Sequence, residues 1–230
     1  KSLDGKTCYH NYEACKFNTS STKKVYIVGD SHMATLTLDL HDKVIEQDYQ
    51  FITSTIGGCL YYPGFDKVDV KLNKISEKCN NDYFTKLKEN LSKEKNSIII
   101  FGGMLPLHIT DRVFNNQEGG REGKKVDKRF ISLGKYQSIQ SSFKNEVLEL
   151  SKKNNILLIY PIPEVGWDVP NKLKNLIKSF PKDDKDKVIE TPNFITTSYQ
   201  VYQNRTRSSF NLLDSIQGKN IYRVFPHKLF

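Results

Sequence analysis

Five short apolar runs rich in β-branched residues alternate along this chain with longer segments whose apolar residues recur every three to four positions. The runs cover residues 25–28, 50–54, 97–101, 156–160 and, more weakly, 221–225; the longer segments cover about 31–48, 81–95, 135–154 and 198–217. Short bounded runs are typical of buried strands, and the longer period is typical of amphipathic helices. The alternation predicts an α/β fold with a mainly parallel five-stranded sheet and helices on both faces.

The length of the chain predicts a single domain. A chain of 230 residues with 37% apolar residues can bury one substantial core, and single α/β domains commonly reach this size. We predict one domain over residues 1–230, with residues 1–22 as an N-terminal extension. No stretch approaches the roughly 20 apolar residues that a membrane-spanning helix requires. The chain starts with Lys and shows no signal-peptide pattern, so we expect it to be a mature or excised part of a longer protein.

The chain is basic, with a formal net charge of +9. Its lysines are spread along the whole sequence, which is typical of a solvated surface. A basic surface also favours anionic neighbours such as membrane headgroups or acidic saccharides. The sequence has no zinc-finger spacing, no aromatic RNA-binding signature and no dense basic helix, so nucleic acid is not an expected partner.

The four cysteines form two pairs that are local in sequence, Cys8 with Cys15 and Cys59 with Cys79. Their spacings match no zinc-binding pattern, so no metal is predicted. Four cysteines allow three connectivities, and short loop closure favours the two local disulfides. Disulfides would place the chain in an oxidising compartment, whereas four free buried thiols in a cytosolic protein are the alternative.

Glycine-bearing turns follow three of the predicted strands. Gly29 precedes Asp30, Ser31 and His32 after the first strand, and residues 57–58 and 102–103 are glycine pairs after the next two. The carboxyl ends of parallel strands share one edge of a sheet, so these turns should converge there. Glycine lets backbone N–H groups approach a substrate oxyanion. The alternative is that the glycines only turn the chain out of the sheet.

Ser31 lies where a predicted strand ends and a predicted helix begins. Met33, Leu36 and Leu40 start the helical period directly after it. At such a junction, free backbone N–H groups and the helix dipole favour a developing negative charge, which suits a nucleophilic serine. The alternative is a plain helix cap, since Asp and Ser are both favoured at that position.

Separate short motifs along the chain carry a family resemblance. They are Gly29-Asp30-Ser31-His32, Gly58-Cys59, and residues 101–107 (FGGMLPL), 116–120 (NQEGG) and 160–167 (YPIPEVGW). Together they resemble an SGNH-type (GDSL-like) hydrolase domain. More narrowly, they resemble the domain fused to bacterial membrane acyltransferases that O-acetylate surface polysaccharides and lipopolysaccharide. The resemblance implies a flavodoxin-like three-layer α/β/α fold and acyl transfer through a serine with no cofactor. It also implies a periplasmic or other extracytoplasmic location, tethered to the cytoplasmic membrane by a segment outside this chain.

The family's functional residues map onto matching positions of this sequence. Ser31 is the expected nucleophile, and its own N–H and that of Gly58 are the expected oxyanion donors. Where many relatives carry Asn or Arg as a third donor, this chain has Met104, whose side chain donates nothing. Loss of one oxyanion donor typically costs about 10²- to 10³-fold in rate. The N–H of Gly103 is the expected replacement.

Other residues are expected to shape the site. Asp30 should shape the turn before the serine. His32 adjoins Ser31, but neighbours at a helix start point apart, which makes direct proton transfer between them awkward. Trp167 should line an acyl or sugar pocket, with plain packing as the alternative.

The general base is absent from the chain's motifs. The family supplies it from an Asp-x-x-His motif near the carboxyl end, and this sequence contains no such motif. Residues 222–230 resemble the segment shortly before it, so we expect the domain to lack its C-terminal end and to be inactive as this fragment. Among the histidines present, His108 is the internal candidate for the base, and His41 is expected at the surface.

The leading hypothesis is an extracytoplasmic O-acetyltransferase domain. A fused or associated membrane acyltransferase would deliver an acyl group, Ser31 would hold it as an ester, and a saccharide hydroxyl would accept it. One alternative is a non-catalytic glycan-binding or scaffolding domain on the same fold. Another is a simple carbohydrate esterase with water as the acceptor. The sequence carries no signal for the acceptor sugar, the acyl group or the oligomeric state.

Overall fold

The computed structural model describes residues 2–3, 6–8, 13–70, 72–110, 114, 128–166, 169–178 and 197–229. The strands are β1 (Ser2–Leu3), β2 (Lys6–Thr7), β3 (Cys15–Phe17), β4 (Lys24–Gly29), β5 (Gln50–Thr55), β6 (Phe65–Asp69), β7 (Lys74–Ile75), β8 (Ile98–Phe101), β9 (Lys128–Ser132), β10 (Asn155–Ile159) and β11 (Ile221–Val224). The helices are α1 (Ser31–Glu46), α2 (Asn81–Ser92), α3 (Leu105–Thr110), α4 (Ile139–Ser151), α5 (Val169–Lys178) and α6 (Tyr199–Asp214).

The main sheet has the strand order β11-β10-β8-β4-β5-β3. Its first five strands are mutually parallel, and β3 pairs antiparallel with β5. Numbered along the chain, the parallel strands stand in the order 2-1-3-4-5, that of a doubly wound α/β sheet. The α/β fold and the five parallel strands are confirmed, but the predicted five-stranded sheet has a sixth strand. β3 is only three residues long, Cys-Lys-Phe, which is too short for a periodic signal.

Successive side chains along each strand point to opposite faces of the sheet, and both faces are covered. On one face Val25, Ile27, Phe51 and Ile100 of the sheet pack against Met33 and the other apolar residues of α1. On the other face Tyr26, Val28, Ile52, Ile99 and Phe101 pack with residues of α2, α4 and α6. The molecule therefore has the expected three layers.

Two disulfides join the pairs that short loop closure favours. Cys8 is bonded to Cys15 and Cys59 to Cys79, with Cα–Cα distances of 5.5 and 5.6 Å. The structure has no free cysteine, so the alternative of four thiols is wrong. Cys15 lies in β3, so part of the predicted N-terminal extension is an edge strand of the main sheet. The Cys59–Cys79 bridge closes the longer loop and contributes roughly 3 kcal/mol by restricting the unfolded chain.

A second, three-stranded antiparallel sheet was not predicted. Its order is β7-β6-β9, and Lys67 of β6 lies opposite Phe130 of β9. Phe130 packs against the buried Tyr62 with a ring-centroid distance of 5.0 Å, which anchors this sheet to the main core. β6 reads Phe-Asp-Lys-Val-Asp, so its charged residues leave no apolar run that would predict a strand. Among the described residues, no helix is long and apolar enough to cross a membrane.

Candidate active site

Ser31 is the first residue of α1, and only Asp30 separates it from the carboxyl end of β4. The helix cap is Asp30, whose Oδ1 accepts a hydrogen bond from the His32 N–H at 2.9 Å. Asp30 therefore performs the capping that was the alternative explanation for the serine. The Ser31 side chain is exposed at the positive end of the helix dipole, where a developing anion is stabilised.

Asp30 is buried and ties the start of α1 to the turn after β8. Its Oδ2 accepts a hydrogen bond from the Met104 N–H at 2.8 Å, and Nε2 of His108 lies 3.6 Å from the same oxygen. Burial alone would raise the pKa of Asp30, but His108 and the N–H groups of Met104 and His32 outweigh burial and lower it. At 3.6 Å the His108 contact is long for a hydrogen bond, so the two backbone donors are the well-formed partners.

The lowered pKa of Asp30 predicts an acid-sensitive contribution to stability. Because the pKa of Asp30 in the folded protein lies below its ordinary value of 3.8, this contribution is complete above about pH 4 and is lost as the pH falls through the folded-state pKa. We expect Asp30→Asn to lower the free energy of unfolding by about 1–3 kcal/mol at pH 7 and to flatten its decline below pH 4. Urea unfolding from pH 2.5 to 7 measures both effects.

Asp39→Asn is the matched control for Asp30→Asn. Asp39 lies on the same helix, but its carboxylate is exposed and pairs with Lys43 on the surface. This variant should change stability by less than about 0.5 kcal/mol. An unaltered acid limb in Asp30→Asn would contradict the role assigned to the buried carboxylate.

Hydrogen bonds bring the three glycine turns together. The Ile56 N–H, in the turn after β5, donates to the Gly29 carbonyl at 3.0 Å. The Met104 N–H, in the turn after β8, donates to Asp30 as described above. The turns that carry Gly58 and Gly103 are thus each bonded to the segment that precedes Ser31. This is the convergence that the parallel sheet predicts.

Gly103 lies where a side chain would not fit. Its φ is +138°, and a Cβ would lie 2.4 Å from Leu60 Cδ2 and 2.9 Å from Asp30 Cγ. Heavy atoms do not approach so closely, so the Gly103 backbone reaches the Asp30 carboxyl only because it has no side chain. The neighbouring Met104 contributes its backbone N–H to Asp30, and its thioether adds no hydrogen-bond donor.

The described histidines are placed differently from one another. His108 is fully buried and faces Asp30. His41 is also buried, with its ring centroid 4.7 Å from that of Phe17, so its expected surface position is wrong. It sits on the face of α1 that covers the sheet edge next to β3. Among the described residues, no histidine is hydrogen-bonded to Ser31.

Some predicted features lie outside the described residues. These are Trp167, the segment 116–120 and His10. Among the residues that are described, no group of three or more His, Cys, Asp or Glu side chains could hold a metal ion.

One charged residue of the site was missed by the sequence reasoning. Lys67 Nζ donates a hydrogen bond to the Gly58 carbonyl at 2.7 Å. A single lysine in a chain with 35 Lys and Arg residues carries no sequence signal. Only the pairing of β6 in the small sheet shows that this lysine faces the turn after β5.

Comparisons with known proteins address the chain as a whole. A family model described as "SGNH domain (fused to AT3 domains)" matches residues 3–230. No curated protein matches the chain.

Proposed function

The chain belongs to the family of SGNH domains that are fused to AT3 acyltransferase domains, and from this premise we propose that it transfers an O-acetyl group to a bacterial surface polysaccharide or lipopolysaccharide through an ester on Ser31. The family implies acyl-transfer or esterase chemistry. The proposal adds a saccharide acceptor and an acyl-serine intermediate to that chemistry.

The position of Ser31 carries this proposal. Its hydroxyl is exposed at the start of α1, and Asp30 leaves it free of a capping role. In the proposed step, the Ser31 hydroxyl gives its proton to a general base as Oγ bonds to the acyl carbonyl carbon, and the carbonyl π electrons move to oxygen. The N–H groups of Ser31, Gly58 and Gly103 are the proposed donors to that oxyanion.

When the C=O bond re-forms, the bond from the carbonyl carbon to the donor's leaving group breaks, and the leaving group departs with the proton. A sugar hydroxyl then loses its proton as its oxygen bonds to the ester carbonyl carbon. The bond from that carbon to Ser31 Oγ breaks, Oγ takes up the proton, and the acyl group remains on the sugar.

The disulfide bonds support an extracytoplasmic location. Both disulfides are formed in the structure, and such bonds persist in oxidising compartments.

The family's fusion to AT3 domains makes a membrane acyltransferase the proposed source of the acyl group. The net charge of +9 also suits an anionic glycan or membrane surface nearby.

A non-catalytic glycan-binding domain is the second candidate. It is favoured by Met104, whose side chain has no donor for the oxyanion and whose N–H is taken up by Asp30. A domain that only binds the glycan would keep the α/β fold and the carboxyl edge of the sheet where Ser31 lies, but it would form no ester on Ser31.

Trapping of the acyl ester distinguishes these candidates. The full-length protein in which this sequence occurs is incubated with p-nitrophenyl acetate, quenched in acid and digested. Mass spectrometry should find one acetyl group on the peptide that contains Ser31. Adding the surface glycan should remove the label with formation of O-acetyl sugar. Removal at the same rate in water alone would identify an esterase, and no label on Ser31 alongside normal glycan acetylation would contradict the proposal.

A further inference from the structure

The ammonium group of Lys67 is aimed at the backbone of the turn after β5. Its Nζ lies 2.7 Å from the Gly58 carbonyl oxygen, and a Cβ on Gly58 would be 3.2 Å from Nζ. Gly58 has a φ of +66°, so its peptide groups adopt an arrangement that other residues rarely hold. The charged end of the lysine thus contacts the residue whose N–H is a proposed oxyanion donor.

Lys67 also lies in the electrostatic field of the serine turn. Burial lowers the pKa of Lys67, while the negative charges of Asp30 and Asp69 oppose that effect. A lysine without a local role extends its ammonium into water. Here the side chain is half-buried, and its ammonium donates to the Gly58 carbonyl instead.

A closed set of bonds holds Lys67 against Gly58. Gly58 is followed by Cys59, which is bonded to Cys79. The Cys79 carbonyl accepts a hydrogen bond from the Lys67 N–H at 3.2 Å, and the Lys67 side chain returns to the Gly58 carbonyl. One covalent bridge and two hydrogen bonds therefore determine the position of the ammonium relative to the turn.

We propose that Lys67 is a positioning residue of the acyl-transfer site, fixing the Gly58 turn and placing a positive charge beside it. The inference rests on the proposed function of Ser31. As Ser31 Oγ adds to the acyl carbonyl, negative charge grows on the carbonyl oxygen. A preorganised cation beside the donor turn stabilises that charge more than it stabilises the neutral ester.

The test compares three variants of the full-length protein. Lys67→Met removes the charge and keeps the aliphatic stem, Lys67→Arg keeps the charge, and Lys74→Met removes an exposed lysine of the same small sheet. The acylation rate is read from the p-nitrophenolate burst with p-nitrophenyl acetate. We expect the burst rate constant for Lys67→Met to fall about 10- to 100-fold, with the ester concentration that gives half the maximal burst rate within about twofold of the wild type. Lys67→Arg should recover part of the rate, and Lys74→Met should match the wild type.

The outcomes separate this inference from the proposed function. A wild-type protein that forms no ester on Ser31 overturns both. A wild type that is labelled, with Lys67→Met equally fast, overturns the role of Lys67 alone. A fall in the burst rate that comes with a loss of stability in urea, and that Lys67→Arg does not reverse, also overturns it. Such a result would indicate a purely structural lysine. If Lys67→Met does not fold, Lys67→Gln, which keeps a donor without the charge, should show the same fall in the burst rate constant.

Discussion

Replacing Ser31 with alanine should abolish acyl transfer while leaving the free energy of unfolding within about 0.5 kcal/mol of the wild type. The rate should fall by at least about 10³-fold, the scale seen when a nucleophilic serine is removed. The fold should persist because the side chain is exposed and Asp30 makes the cap. Acetylation of the surface glycan measures the activity, and urea unfolding measures the stability.

Thr35→Ala is the matched control for Ser31→Ala. Thr35 exposes a hydroxyl one turn further along α1, where it donates to the His32 carbonyl at 2.7 Å. Its removal should leave acyl transfer unchanged. Normal glycan acetylation in Ser31→Ala would refute the nucleophile assignment. A loss of stability well above about 0.5 kcal/mol would instead give the hydroxyl a structural role.

Gly29→Ala should produce the largest loss of stability, about 2–5 kcal/mol from overpacking and backbone strain together. Gly29 has a φ of +155°, and a Cβ would lie 2.4 Å from the Gly102 carbonyl oxygen and 2.5 Å from Met33 Cγ. The Gly102 backbone has little room to retreat, because it directly follows β8, which is paired on both sides by β10 and β4. Urea unfolding at pH 7 measures the effect.

Gly134→Ala is the control that separates backbone strain from steric overlap of the added Cβ. Gly134 also has a positive φ, +96°, but a Cβ there would meet nothing within 4 Å. It should cost only the strain, about 1–2 kcal/mol. Equal costs at both glycines would show that close packing between the turns after β4 and β8 is unimportant. A larger cost at Gly29 would show that these two turns need a backbone without side chains.

The layers of the fold could be predicted because their signals are local. The runs at 25–28 and 50–54 fall within β4 and β5. A central parallel strand is buried on both faces, so it shows in the sequence as a short, mostly apolar run. β3 and the β7-β6-β9 sheet could not be predicted, because short strands with charged residues depend on their partners for stability. The burial of His41 was missed for a similar reason: flanking Asp39 and Asp42 suggest a surface, but β3 and Phe17 cover the histidine.

The sequence by itself determined the site's position and its expected nucleophile. A strand, a glycine turn, a serine and a helix follow one another within residues 24–46, so local geometry places Ser31 at the carboxyl edge of the sheet. Only the tertiary structure decided what surrounds it. Asp30 and the Met104 N–H meet across 74 positions of sequence, and Lys67 reaches Gly58 through the pairing of a strand that has no sequence signal. Such contacts depend on how elements pack rather than on how residues repeat, and no periodicity encodes them.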